Sequence, residues 1–196
     1  RADCPEMIEG ERFERTVALV DVAEDAFYVF DMFRVVGGRD HARFMHSHLS
    51  RLTTRGLDLQ PAPDYGHDTQ MRDFRMDPNA CAGWTAQWEV EQAAAPSAAQ
   101  PPLCLQCVDL TDGAAAGICE GWVALQGYRD NREAWLPRTI VRRTAEKAPL
   151  DSTFLGLIEP HRGRPGVCAA RRVESDGDAV AVEVELRAGG RDLIVA

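Results

Sequence analysis

The sequence predicts an all-β protein: an antiparallel β-sandwich, with few or no helices. Three observations carry this. Apolar residues alternate with polar ones at period two in several stretches, as strands with one buried face require. Turn-forming clusters, "DPNACAG", "TDGAAAG", "HRGRPG" and "SDGD", punctuate the chain between those stretches. No segment shows sustained helical periodicity, and no long internal repeat is visible. Many strands joined by turns build a sandwich, and a length of 196 residues suits one such domain, spanning 1–196.

The elements follow in order. "RTVALVDVAEDAFYVFDMFRVVGG" gives two strands around the turn "AED". In the first, Val17, Leu19 and Asp21 alternate with Thr16, Ala18 and Val20. The second is apolar on both sides, with Phe27, Val29, Phe33 and Val35 on one and Tyr28, Phe30 and Met32 on the other. Such a strand belongs inside a sheet covered on both faces. Asp31 falls on the Phe27/Val29 side, where its carboxylate needs donors, so a structural role with backbone or Arg partners is expected. "GWTAQWEV" places Trp84, Ala86, Trp88 and Val90 on one face. The two tryptophans read as core, with a sugar-stacking platform as the other reading. "LCLQCVDL", "GICEGWVALQ", "RTIVRRTA", "TFLGLIEPH" and "GVCAARRVES" continue the series. "EQAAAPSAAQPP" reads as a variable surface loop. In "DAVAVEVELRAGGRDLIVA", Val180, Val182, Val184 and Leu186 form one face, and Gly189-Gly190 turns the chain back as a hairpin.

Composition narrows the function classes. Apolar residues make up 45% and charged residues 27%, as in ordinary globular domains. The net charge of −9, from 22 basic and 31 acidic residues, argues against a nucleic-acid platform. No stretch has the roughly 18 consecutive apolar residues of a membrane helix, so neither nucleic acid nor membrane is an expected partner. Cys104-x-x-Cys107 lacks the second pair that a structural zinc site would want, and its setting reads as a strand, so these are expected to be buried strand cysteines.

"GGRDHARFMHSH", residues 37–48, holds three of the five histidines. His46 and His48, at i and i+2, share a face with Phe44 if the strand continues, while His41, Arg43, Met45 and Ser47 share the other. Two imidazoles make an incomplete zinc set; His67 and Asp68 are the nearest further donors. A structural or cleft-lining strand, a sugar contact and a metal site all stay open for this pair. Glu159-Pro160-His161 reads as a strand terminus, with Pro160 blocking further ladder bonds.

Several of these segments together resemble the C-terminal β-sandwich of heparinase II/III-like polysaccharide lyases. Arg15, Asp21, Tyr28, Asp31, Phe33, Arg34, Gly37, Gly38, His41 and His46 occupy the places of that family's strand pattern. "AWLPRTIVRR" and "STFLGLIEPHRGRP" resemble two later family segments, so the likeness spans roughly residues 12–196. The resemblance implies a bacterial, periplasmic or secreted protein degrading a glycosaminoglycan or alginate by β-elimination. A uronate carboxylate is neutralised, a base takes the C5 proton, and an acid protonates the leaving oxygen. In the family a helical toroid precedes the sandwich and faces it across the sugar cleft. This sequence shows neither the toroid nor the family's "HNT" zinc motif. The expectation is therefore that catalytic residues, and any zinc of a parent protein, lie upstream, with no cofactor and no metal site within this chain. Its partners would be the helical toroid and an acidic polysaccharide. Arg39, His41, His46 and His48 are the substrate-cleft candidates here, and no catalytic residue is assigned. A non-catalytic carbohydrate-binding sandwich, or a purely structural one, is the alternative.

Overall fold

A computed structural model of the chain describes residues 1–8, 10–66, 68–91, 101–125 and 132–196. In chain order the strands are β1 (Ala2–Asp3), β2 (Arg12–Ala23), β3 (Ala26–Gly37), β4 (Asp40–His46), β5 (Ser50–Arg55), β6 (Gln60–Pro61), β7 (Met71–Asp77) and β8 (Thr85–Val90). They continue with β9 (Leu103–Asp109), β10 (Ala115–Leu125), β11 (Arg132–Thr144), β12 (Leu150–Arg162), β13 (Val167–Val173), β14 (Ala181–Leu186) and β15 (Arg191–Val195). One 3₁₀ turn, Pro5–Ile8, is the only helical element among the described residues, and no helix is long and apolar enough to cross a membrane.

The strands form three antiparallel sheets. The largest runs β1-β2-β3-β12-β9-β8-β5, the second β4-β11-β10-β7-β6, and the third β13-β14-β15. The large sheet is covered on both faces. On one side Tyr28, Phe30 and Met32 of β3 and Leu155 and Leu157 of β12 pack with Val180, Val182 and Val184 of the small sheet. Tyr28 also donates its hydroxyl to Asp192 at 2.8 Å. On the other side Val35, Phe154, Trp84, Ala86, Trp88 and Cys107 pack with Ala116 and Val141 of the five-stranded sheet. This explains the doubly apolar β3: it is paired on both edges, with β2 and β12, and sits beneath a layer on each face. The two-layer sandwich thus gains a third, smaller layer.

Trp84 and Trp88 are core residues, and the Trp88 indole N–H donates to the Pro137 carbonyl at 3.0 Å. Cys104 and Cys107 are buried, unbridged strand cysteines. Burial raises both thiols, Cys107 to about 12, so neither is poised as a thiolate.

Three expectations need correction. First, β12 does not stop at Pro160. Its pairing with β3 ends at Ile158, but pairing with β9 continues to Arg162, so Pro160 costs the sheet little there. Glu159 is buried instead as a turn clamp, its carboxylate accepting the backbone N–H groups of Gly166 and Val167. Second, β5 and β7 lie where no strand was expected. β5 is a sheet edge that alternates in burial but has only Leu52 as an apolar inward residue, and β7 carries Arg72, Asp73 and Arg75 across a β-bulge that breaks its alternation. Third, β4 ends at His46; Ser47 lies beyond it and His48 sits in a bend. Most of the Ala/Pro stretch at 91–102, and His67, lie outside the described residues.

Candidate functional site

The site grows from one cross-strand row on the large sheet. Val17, Asp31, Gly156 and Asp109 are successive register partners on β2, β3, β12 and β9, so they point to one face. That face looks toward the five-stranded sheet, whose edge strand β4 lies above it. β4 sends Arg43 down into the row. Its Nη2 donates to Asp109 Oδ2 at 2.6 Å, and its Nη1 lies 3.8 Å from Asp31 Oδ2. Gly156 leaves the room: a Cβ there would stand 3.3 Å from Arg43 Nη2. Arg15 closes the chain from outside. Its Nε and Nη2 donate to the two oxygens of Asp31 at 2.8 and 3.0 Å, a bidentate fork.

The result is an alternating line, Arg15, Asp31, Arg43, Asp109, leading from solvent into the core. Asp31 is 3% exposed and Asp109 1%. Burial pushes the Asp109 carboxyl above its ordinary range; Arg43 and the Thr111 N–H, which donates to it at 3.0 Å, pull the other way. The Asp31 fork raises the Arg15 guanidinium further. So Asp31 is held by arginines, as its place in a dry strand demands.

Beside this line opens a cleft of about 490 Å³. Phe13, Arg15, Asp31 and Phe33 form its floor, Ala42 to Met45 of β4 one wall, and Ala2 to Cys4 another. Phe13 and Phe33 meet edge to face, centroids 4.9 Å apart. The floor continues along β2 and β3 as an open ledge, on which Val17, Leu19 and Phe27 are 52%, 60% and 36% exposed. The smaller Thr16, Ala18 and Val20 face the opposite way, and Ala18 and Val20 pack on the inner core beneath the small sheet.

The four cleft candidates from the sequence do not converge. Arg39 is exposed in the β3–β4 turn, where its carbonyl accepts the Ala145 N–H. His41 is buried: its Nε2 donates to the Gly37 carbonyl at 2.8 Å, and its Nδ1 accepts from Ser152 Oγ at 2.9 Å. It pins the start of β4 to β3 and β12 of the large sheet. His46 is exposed at the far end of β4, with Nδ1 donating to the Ser47 carbonyl, and His48 is exposed in the following bend. The cleft wall uses the residues between them. Among the described residues no three His, Cys, Asp or Glu side chains gather in a group that could hold a metal ion. His46 and His48 meet no third donor among the described residues, and His67, the nearest further histidine in sequence, lies outside them.

Sequence reasoning missed Arg43 and Asp109. Arg43 is half of "AR" inside the histidine-rich run, and Asp109 ends "LCLQCVD". The available signal was a carboxylate and a guanidinium each falling on an inward strand face. No family model matches the chain, and no curated protein matches it.

Proposed function

We propose that the chain serves as the C-terminal β-sandwich module of a heparinase II/III-like polysaccharide lyase. It acts as scaffold and one wall of a cleft in which an acidic, uronate-containing polysaccharide undergoes β-elimination. The observation that carries this reading is the uncovered part of the large sheet. An apolar ledge of Val17, Leu19 and Phe27 adjoins an aromatic cleft with the half-exposed guanidinium of Arg15 on its floor. Exposed apolar side chains in contiguous rows mark surfaces that another body covers, here a preceding helical domain. A cation beside such a surface suits a sugar carboxylate. The strand pattern shared with the lyases runs through the same β2–β4 segment.

The test is affinity electrophoresis of the isolated chain in gels containing alginate, heparan sulfate or neutral dextran, with absorbance of the unsaturated product followed in parallel. The reading expects retardation by acidic polymers alone, weakened in Arg15→Gln, and no product, because acid, base and carboxylate clamp must all lie within reach of the sugar. Equal retardation in dextran, or none in any polymer, overturns it.

A further inference from the structure

Along β11, β10 and β7, past the end of β4, the inner face of the five-stranded sheet opens to solvent by degrees. Ala116 and Val141 are register partners buried in the core; two residues on, Ile118 and Thr139 pair, then Glu120 and Pro137, then Trp122 and Trp135. Pairs two apart share a face, so all of these look toward the large sheet. The outer pairs are only half buried because the cover thins there. A groove of about 350 Å³ results, within the range of small-molecule sites.

Its apolar floor is Leu52, Ile118, Pro137 and Trp135. Arg72 lies over the indole of Trp135, 3.9 Å from the ring centroid, and is itself forked onto Glu120 at 2.9 and 2.8 Å. The indole is therefore held in place and Arg72 is neutralised. Asp73, at the bulge where β7 shifts register, adopts φ 56° and lines the same groove. Arg75 differs from Arg72. Its Nη2 makes one long contact, 3.4 Å to the Leu59 carbonyl, and among the described residues it has no ion pair. The groove thus offers an apolar floor, two carboxylates and one guanidinium without a counter-ion.

We propose that this groove is a second glycan contact, which seats one uronate residue of a polysaccharide. The C–H face of the ring lies on Ile118 and Pro137, beside the indole of Trp135, whose one face Arg72 covers. The carboxylate pairs with Arg75, and Asp73 and Glu120 accept from ring hydroxyls. A neutral sugar lacks the group that Arg75 would meet. The inference rests on the reading that this chain meets uronate polymers, and it adds a site that shares no lining residue with the β2–β4 cleft.

The experiment follows the indole N–H resonances of the four tryptophans in the ¹⁵N-labelled chain. Trp135→Phe assigns its signal, and the titrant is an alginate oligosaccharide, with a cello-oligosaccharide as the neutral control. The Trp135 signal should shift with the acidic oligosaccharide while those of the core Trp84 and Trp88 stay. Arg75→Gln should raise Kd roughly tenfold, the loss of one charge-assisted contact, with the melting curve unchanged. A still Trp135 signal, a shift of equal size with the neutral sugar, or an Arg75→Gln Kd equal to wild type overturns the second site. If alginate binds, Arg15→Gln abolishes that binding and Trp135 stays still, the cleft reading survives and this one falls. If no acidic glycan binds at all, both fall.

Discussion

Asp31 and Asp109 are both buried carboxylates on Arg43, but they depend on it differently. Asp31 keeps a bidentate partner in Arg15, whereas Arg43 has its short contact only with Asp109. Asp31→Ala should lower the free energy of unfolding by on the order of 1–3 kcal/mol, the cost of groups left unpaired. Asp109→Ala leaves Arg43 buried with a single 3.8 Å contact and should cost about 3–5 kcal/mol. Urea melts compare them, and equal losses would refute the ranking. His161 gives a pH signature. Burial lowers its pKa below the ordinary 6.5, against the opposing pull of the Glu159 charge and the Gly163 backbone. A histidine lowered in the folded state contributes stability above its unfolded pKa and loses it as pH falls through the folded value. Melts taken from about pH 7.5 down to about pH 5 should show a steeper decline in wild type than in His161→Gln. Asp31 was legible from sequence because one charge interrupts an apolar run. Arg43 was not, since a long side chain that crosses between sheets leaves no trace in strand periodicity.

Strands legible in the sequence were those whose faces differ. β14 and the residue before it show three valines at period two, Val180, Val182 and Val184, and all three are buried. β3 was legible for the converse reason, being dry on both sides. β5 and β7 escaped because an edge strand buries little and a bulge resets the alternation. Close approach between strands is equally silent in the sequence. Gly117 of β10 passes so near β7 that a Cβ would stand 2.2 Å from the Arg75 carbonyl oxygen and 2.9 Å from Met76 Cα. Backbone cannot swing aside, so Gly117→Ala should cost about 1–3 kcal/mol or more. Gly177 provides the contrast: it has φ 62° in the β13–β14 turn and open space around it. Gly177→Ala should cost only about 1–2 kcal/mol of backbone strain. Thermal melts of the two variants should rank in that order.

For the molecule, the alternation and turn signals sufficed for an all-β sandwich, while the third layer was not anticipated. The β14–β15 hairpin was readable, but what its valines cover depends on long-range packing that periodicity does not encode. The cleft candidates do not gather for a related reason: sequence neighbours 39 to 48 spread along one strand and its two ends, so proximity in the chain became separation in space. The exposed ledge yields a prediction at this scale. Val17→Thr with Leu19→Lys should leave stability within about 0.5 kcal/mol, because these side chains bury little. It should also raise the concentration at which the isolated chain self-associates, read by light scattering. A large loss of stability would mean that the ledge is packed in solution.

The pairing of β3 with β12 has a consequence for how the chain is made. Gly37 pairs with Leu150 and Val29 with Ile158, so the driest strand waits for a neighbour more than a hundred residues later. At a ribosomal pace of about 5–20 residues per second, β3 emerges roughly 5–25 seconds before β12 exists. During that interval only the β2 hairpin can shield it, and one face of Tyr28, Phe30 and Met32 stays open to other nascent chains. Expression should therefore respond to holdase chaperones and to slower growth temperature more than the finished fold's stability would suggest. The soluble yield of a fragment ending before β12 should collapse, even though most of the strands are already present in it.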